Sequence, residues 1–64
     1  MNADEAYGII SRAQHADWTM AALLERLHCS ARTIYYIRSG KTRKVSGALA
    51  ANLRALREEL EAKK

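Results

Sequence analysis

Three residues, His28, Cys29 and Ser30, are all that separate two helical patterns. Ahead of them Leu23, Leu24 and Leu27 form an apolar face behind Thr19, a residue type favoured at helix N-caps. Beyond them Ile34 and Ile37 recur at a helical interval behind Ser30, a second N-cap. Gly40 then supplies the left-handed position that a Cβ resists. The pattern predicts one helix from about Thr19 to Leu27 and another from Ala31 to about Ser39. Two short helices joined so tightly must cross steeply, as in a helix-turn-helix.

The flanking segments also read as helix. Ala6, Ile9, Ile10 and Ala13 share one face of a helix over Ala3–His15, and Asp4 and Glu5 suit its N-terminal dipole. Gly8 weakens that helix by about 1 kcal/mol relative to Ala. Lys41 to Val45 reads as a basic, polar loop. Ser46 is placed to cap a last helix reaching about Ala62, with Leu49, Leu53, Leu56 and Leu60 in one narrow stripe. Arg54–Glu58 and Arg57–Glu61 are (i, i+4) pairs on its outer face, in the weaker base-before-acid order. The apolar residues are mostly Ala, Leu and Ile, and Phe and Pro are absent, a mixture that favours helix. The expectation is a single domain over residues 1–64, all-α, a compact bundle of four helices, or five, containing a helix-turn-helix. A domain of about 60 residues buries only about 60% of its unfolded surface, so a partner or second copy would help it.

Charge is distributed unevenly. Arg26, Arg32, Arg38, Lys41, Arg43 and Lys44 occupy residues 26–44 with no acid among them. Residues 1–25 hold Asp4, Glu5, Asp17 and Glu25 against Arg12 alone. A one-sign block inside a folded segment makes a field suited to a polyanion. A solvated basic face without a ligand is the plainer alternative. The single cysteine forms no internal disulfide, no apolar run is long enough to span a membrane, and no secretory leader is visible. These features predict a soluble cytoplasmic protein. His28 next to Cys29 lacks metal-ligand spacing. No paired carboxylates, nucleophile with base or phosphate-binding glycine loop appears, so neither enzyme nor cofactor nor small-molecule ligand is expected.

The stretch TMAALLERLHCSARTIYYIRSGK, Thr19 to Lys41, resembles the helix-turn-helix of the Cro/phage-repressor (Xre-type) family. The family pattern reads roughly T-x-x-x-L-A-x-x-L-G-V-S-x-x-T-I-x-x-[IW]-x-x-G. Thr19, Leu23, Leu27, Ser30, Thr33, Ile34, Ile37 and Gly40 match it. Cys29 stands at the Val position as a small apolar substitute. Leu24 replaces the small Ala, and His28 replaces the turn Gly, whose positive φ histidine tolerates better than most residues. The resemblance implies a double-stranded DNA-binding regulator whose second motif helix enters the major groove. It also implies backbone contacts from the start of the first motif helix.

Helical geometry sorts the candidates. With Ile34 at 0° and 100° per residue, Ile37 and Ala31 fall on the inner side. Arg32, Ser39 and Tyr36 fall at about 160°, 140° and 200°, on the outer side. Tyr35 sits at the shoulder, and Arg38 falls nearer the buried side. Residues near the N-terminus of such a helix meet base edges. The base-contact candidates are Arg32, Tyr36 and Tyr35, together with Ala31. Arg32 has the planar fork that grips guanine O6 and N7. The backbone-contact candidates are Thr19, Met20, Ser30, Thr33, Ser39, Lys41, Thr42, Arg43 and Lys44, which position without specifying.

The functional expectation is a sequence-specific regulator, a repressor of phage or mobile-element type, binding an inverted-repeat operator as a homodimer. Leu53, Leu56 and Leu60 are the candidate dimer interface. Phage repressors, restriction controllers, antitoxins and anti-CRISPR autorepressors all share this size within the family. The rival expectation is a small helical protein-interaction module using the basic face and the leucine stripe.

Overall fold

The four apolar stripes become four helices: α1 (Ala3–His15), α2 (Met20–Leu27), α3 (Ala31–Ser39) and α4 (Gly47–Ala62). The structure is a computed structural model and describes residues 1–62. It is a small all-α molecule with no strand among the described residues, only an isolated antiparallel bridge between Asn2 and Lys44. Helix α1 packs against α2, α3 and α4, and α2 packs against α4.

Each of the first three helices starts on a side-chain cap. Asn2 Oδ1 accepts from the Glu5 amide at 2.8 Å. Thr19 Oγ1 accepts from the Ala22 amide at 3.1 Å, and Ser30 Oγ from the Thr33 amide at 3.3 Å. Each bond satisfies one of the amides that a helix start leaves without an acceptor. Helix α4 begins differently. Gly47 takes φ +67°, and Ser46 makes no capping hydrogen bond among the described residues, so its expected capping role is not observed.

Helices α1 and α2 end alike. Asp17 and His28 both occupy the left-handed region, at φ +69° and +53°. The Asp17 amide donates to the Gln14 carbonyl at 3.2 Å, and the Trp18 amide to Ala13 at 3.0 Å. The His28 amide donates to Glu25 at 3.4 Å, and the Cys29 amide to Leu24 at 3.2 Å. Both are Schellman ends built without glycine, on two of the residue types that tolerate this region best. The α2 end has a further support: Asn52 Nδ2 of α4 donates to the Leu27 carbonyl at 3.2 Å. That carbonyl belongs to the last turn, where intrahelical donors run out.

The core gathers Ala6, Ile9, Ile10 and Ala13 from α1, Leu23 and Leu27 from α2, and Ile34 and Ile37 from α3. Val45, Ala50, Leu53 and Leu56 complete it. Leu24, Cys29, Leu49, Leu60 and Trp18 pack around its margin. This corrects the expected dimer interface. Leu53 and Leu56 are both 0% exposed, so neither offers surface to a second copy. Of that trio only Leu60, which is half-buried, retains accessible surface. In a chain this short the leucine stripe of α4 is needed to cover α1 and α2.

The outer face of α4 also departs from expectation. Glu59 takes Arg26 of α2, with Nε at 2.8 Å and a terminal guanidinium nitrogen at 2.6 Å from Oε2. Glu61 faces Arg12 of α1 at 3.9 Å. Neither Arg54–Glu58 nor Arg57–Glu61 forms an ion pair among the described residues. Bases on neighbouring helices take two of the three acids instead.

Candidate nucleic-acid interface

The surface of α3 is built by what the core leaves over. Ile34 and Ile37 turn inward and are buried. Ser30, Ala31 and Arg32 are all exposed, so the first turn of α3 projects past the core. Ala31 is therefore not an inward residue, as its angle suggested, because no neighbouring helix covers it at the end of α3. Its exposure leaves room for a close approach beside Arg32. No acid stands in the first turn of α2 or of α3, whereas α1 carries Asp4 and Glu5 there. The positive ends of α2 and α3 are thus left open to an anion.

The two tyrosines exchange the roles their angles assigned. Tyr35 is the open one, 61% exposed, and Tyr36 is half-buried. The cause is the chain after Gly40, which takes φ +84° and folds back. The Thr42 amide donates to the Tyr36 carbonyl at 3.1 Å, and Lys41 Nζ lies 5.4 Å from the centre of the Tyr36 ring. The Ser39 hydroxyl donates to the same carbonyl at 3.3 Å. The rings of Tyr35 and Tyr36 are tilted against each other with centroids 6.1 Å apart. Arg38 is exposed rather than turned toward the core. With Tyr7 of α1, Tyr35 and Ser39 it lines a shallow groove.

The backbone-contact candidates fall into two groups. Thr19, Ser30, Ser39, Lys41, Arg43 and Lys44 are exposed, whereas Met20, Thr33 and Thr42 are half-buried. Met20 packs its side chain against the core, so what it presents is the main-chain N–H at the start of α2. Thr33 Oγ1 lies 3.2 Å from Ser30 Oγ, which ties the two hydroxyls together.

Of the six cations in residues 26–44, Arg26 is engaged with Glu59. Arg32, Arg38, Lys41, Arg43 and Lys44 have no carboxylate within ion-pair distance among the described residues. The positive face is thus smaller than the sequence block and lies on α3 and the loop after it. Burial pushes the Cys29 thiol up from its ordinary value, so it stays protonated at neutral pH and is a poor nucleophile. Among the described residues no group of three or more His, Cys, Asp and Glu side chains is placed to hold a metal ion. No helix among them is long and apolar enough to cross a membrane.

Three contributors escaped the sequence reading. Asn2 caps α1, a role its place three residues before Glu5 could have signalled. Val45 is 3% exposed, the one aliphatic residue in an otherwise polar loop. Asn52 closes the α2 end from a distance that no local pattern reveals. Comparison of the chain with protein-family models, with curated proteins and with solved structures gives no match.

Proposed function

We propose that this chain is a sequence-specific double-stranded DNA-binding regulator of the Cro/phage-repressor type, with α2 and α3 as its helix-turn-helix. One observation carries the reading. The exposed face of α3 and the loop after it hold five cations without a carboxylate partner among the described residues. Arg32 stands in the first turn of α3, which like that of α2 carries no acid, and the other four follow from the last turn of α3 into the loop. In this reading α3 lies in the major groove and Arg32, at its second position, grips a guanine edge. Tyr35, Tyr36 and Ala31 line the approach to the bases. Thr19, Met20, Ser30, Thr33 and Ser39 meet the backbone with Lys41, Thr42, Arg43 and Lys44, and these contacts set register and affinity.

The regulator acts as a homodimer on an inverted repeat, its half-sites about one helical turn, roughly 34–36 Å, apart. Bound there it occludes transcription, in the manner of the repressors and autorepressors of phages and mobile elements. With Leu53 and Leu56 inside the core, the contact between copies draws on Leu60 and surface outside the leucine stripe.

Selection of bound duplexes from random DNA tests the proposal. The expected outcome is a short enriched motif whose guanine preference collapses with Arg32→Ala. Enrichment of no motif, or a motif unchanged by Arg32→Ala, would overturn it. A second reading, a small protein-interaction module, draws on the groove of Tyr7, Tyr35, Arg38 and Ser39. Tyr7 and Tyr35 are exposed at 43% and 61%. Paired tyrosines beside an arginine are a composition that protein interfaces favour. On that reading the wild type binds no duplex DNA, and Tyr7→Ala abolishes capture of the protein partner.

A further inference from the structure

The segment Lys41–Val45 looks in sequence like a free polar connection, yet each of its residues contacts another part of the chain. Lys41 lies over the Tyr36 ring, and the Thr42 amide is bonded to the Tyr36 carbonyl. The Arg43 carbonyl accepts from the Ala3 amide at 3.0 Å. Lys44 stands across from Asn2 in the antiparallel bridge. The Val45 amide donates to the Met1 carbonyl at 2.7 Å, and its side chain is buried. The fixtures at Arg43, Lys44 and Val45 thus engage residues 1–3.

We propose that Met1–Ala3 is a strap that presets the basic loop for phosphate, making Asn2 and Ala3 positioning residues for DNA affinity. This rests on the DNA-binding reading above. Lys41, Arg43 and Lys44 crowd like charges into four residues, and an untethered loop would spread them. A free loop would also lose its backbone freedom on meeting a phosphate, at the expense of affinity. The strap imposes that loss during folding. Asn2 joins the two parts: its side chain caps α1, and its backbone faces Lys44. Since α1 also packs against α3, the loop and the groove-facing helix are held in one frame.

The test uses the full chain and a fluorescent random-sequence duplex, so that phosphate contacts are read apart from base contacts. Ala3→Pro removes the amide that reaches Arg43. Ala3 is the first residue of α1, where proline is well tolerated, and Asn2 at φ −83°, ψ 165° suits the residue before it. The variant is expected to speed amide hydrogen exchange at Val45 and to weaken duplex binding roughly 2- to 12-fold, the range one such bond supports. Faster exchange with wild-type affinity would overturn the strap, and so would unchanged exchange.

Should Ala3→Pro fail to fold, the pair Asn2→Cys and Lys44→Cys in a Cys29→Ser background decides. The two residues form a non-hydrogen-bonded pair, whose Cα separation of about 4.5 Å a disulfide can bridge. The oxidised form is expected to bind at least as tightly as the reduced form. Weaker binding on oxidation shows that the loop must leave the strap to reach DNA, and overturns the proposal. A wild type without affinity for the duplex overturns the DNA reading itself, before any variant is compared.

Discussion

Arg26 and Arg32 sit six residues apart in one acid-free block, and the fold treats them oppositely. Arg26 lies in the seam between α2 and α4, its guanidinium on Glu59 and its side chain 32% exposed. In the same seam Asn52 answers the Leu27 carbonyl. Across the molecule, on α3 and its following loop, Arg32, Arg38, Lys41, Arg43 and Lys44 face outward without an acid. The seam's charge and amide are matched within the chain. The cations of α3 and its loop are not, and they run from the acid-free first turn of α3 to the loop beyond its C-terminus. The difference teaches that a charge block in sequence is divided by tertiary partners. What survives that division is the charge that no carboxylate among the described residues matches.

Removing apolar mass from the seam has the largest effect. Leu53→Ala, at a fully buried position, is expected to lower stability by about 2–5 kcal/mol. A domain this small then unfolds substantially at ambient temperature, which urea titration followed by circular dichroism measures. A loss under about 1 kcal/mol would mean that α4 is not the lid of the core.

On the other face the effect shifts from stability to binding. Arg32→Ala is expected to leave the urea midpoint nearly unchanged, within about 0.5 kcal/mol, as for an exposed residue. It should cost about 1–3 kcal/mol of discrimination between the selected duplex and one with its guanine replaced. Competition binding with the two duplexes measures this, and equal discrimination by wild type and variant would remove Arg32 from base contact.

Asn52→Ala sharpens the comparison at intermediate size. It leaves the Leu27 carbonyl without its side-chain partner, and about 1 kcal/mol of stability should go with it. DNA affinity corrected for the folded fraction should stay constant. Smallest is Arg26→Ala. The pair with Glu59 is partly exposed, so a double-mutant cycle should return less than about 1 kcal/mol, falling as salt rises. A coupling that persisted at high salt would place this arginine in a far less solvated site.

Much of this was legible because it is local. The helices α1, α2 and α3 begin and end where caps and apolar periodicity set them: Thr19, Ser30 and Gly40 act on residues within one turn. The positive φ of His28 likewise follows from its place at the end of α2. What escaped depends on contacts distant in sequence. Helical angles ordered Tyr35 and Tyr36 wrongly because an angle does not reveal that the chain after Gly40 folds back over Tyr36. They misplaced Ala31 and Arg38 because a nominally inner angle buries a residue only where another element reaches it. The leucines of α4 read equally as core or interface, since one stripe serves either purpose until the size of the core is known. Val45 and the strap of Met1–Ala3 had no local signature, because they meet across about forty residues of chain.

The central claim is that the unmatched positive face of α3 and its loop exists to meet the phosphates of duplex DNA. The direct measurement is the affinity for a random-sequence duplex as a function of salt concentration. The account predicts a steep linear fall of log K with log salt, with a slope of about −0.9 for each phosphate engaged. It predicts that Lys41→Ala, Arg43→Ala and Lys44→Ala each flatten that slope by about one phosphate, while Arg26→Ala leaves it alone. Binding that is absent, or indifferent to salt and to these three lysines and arginines, would contradict it.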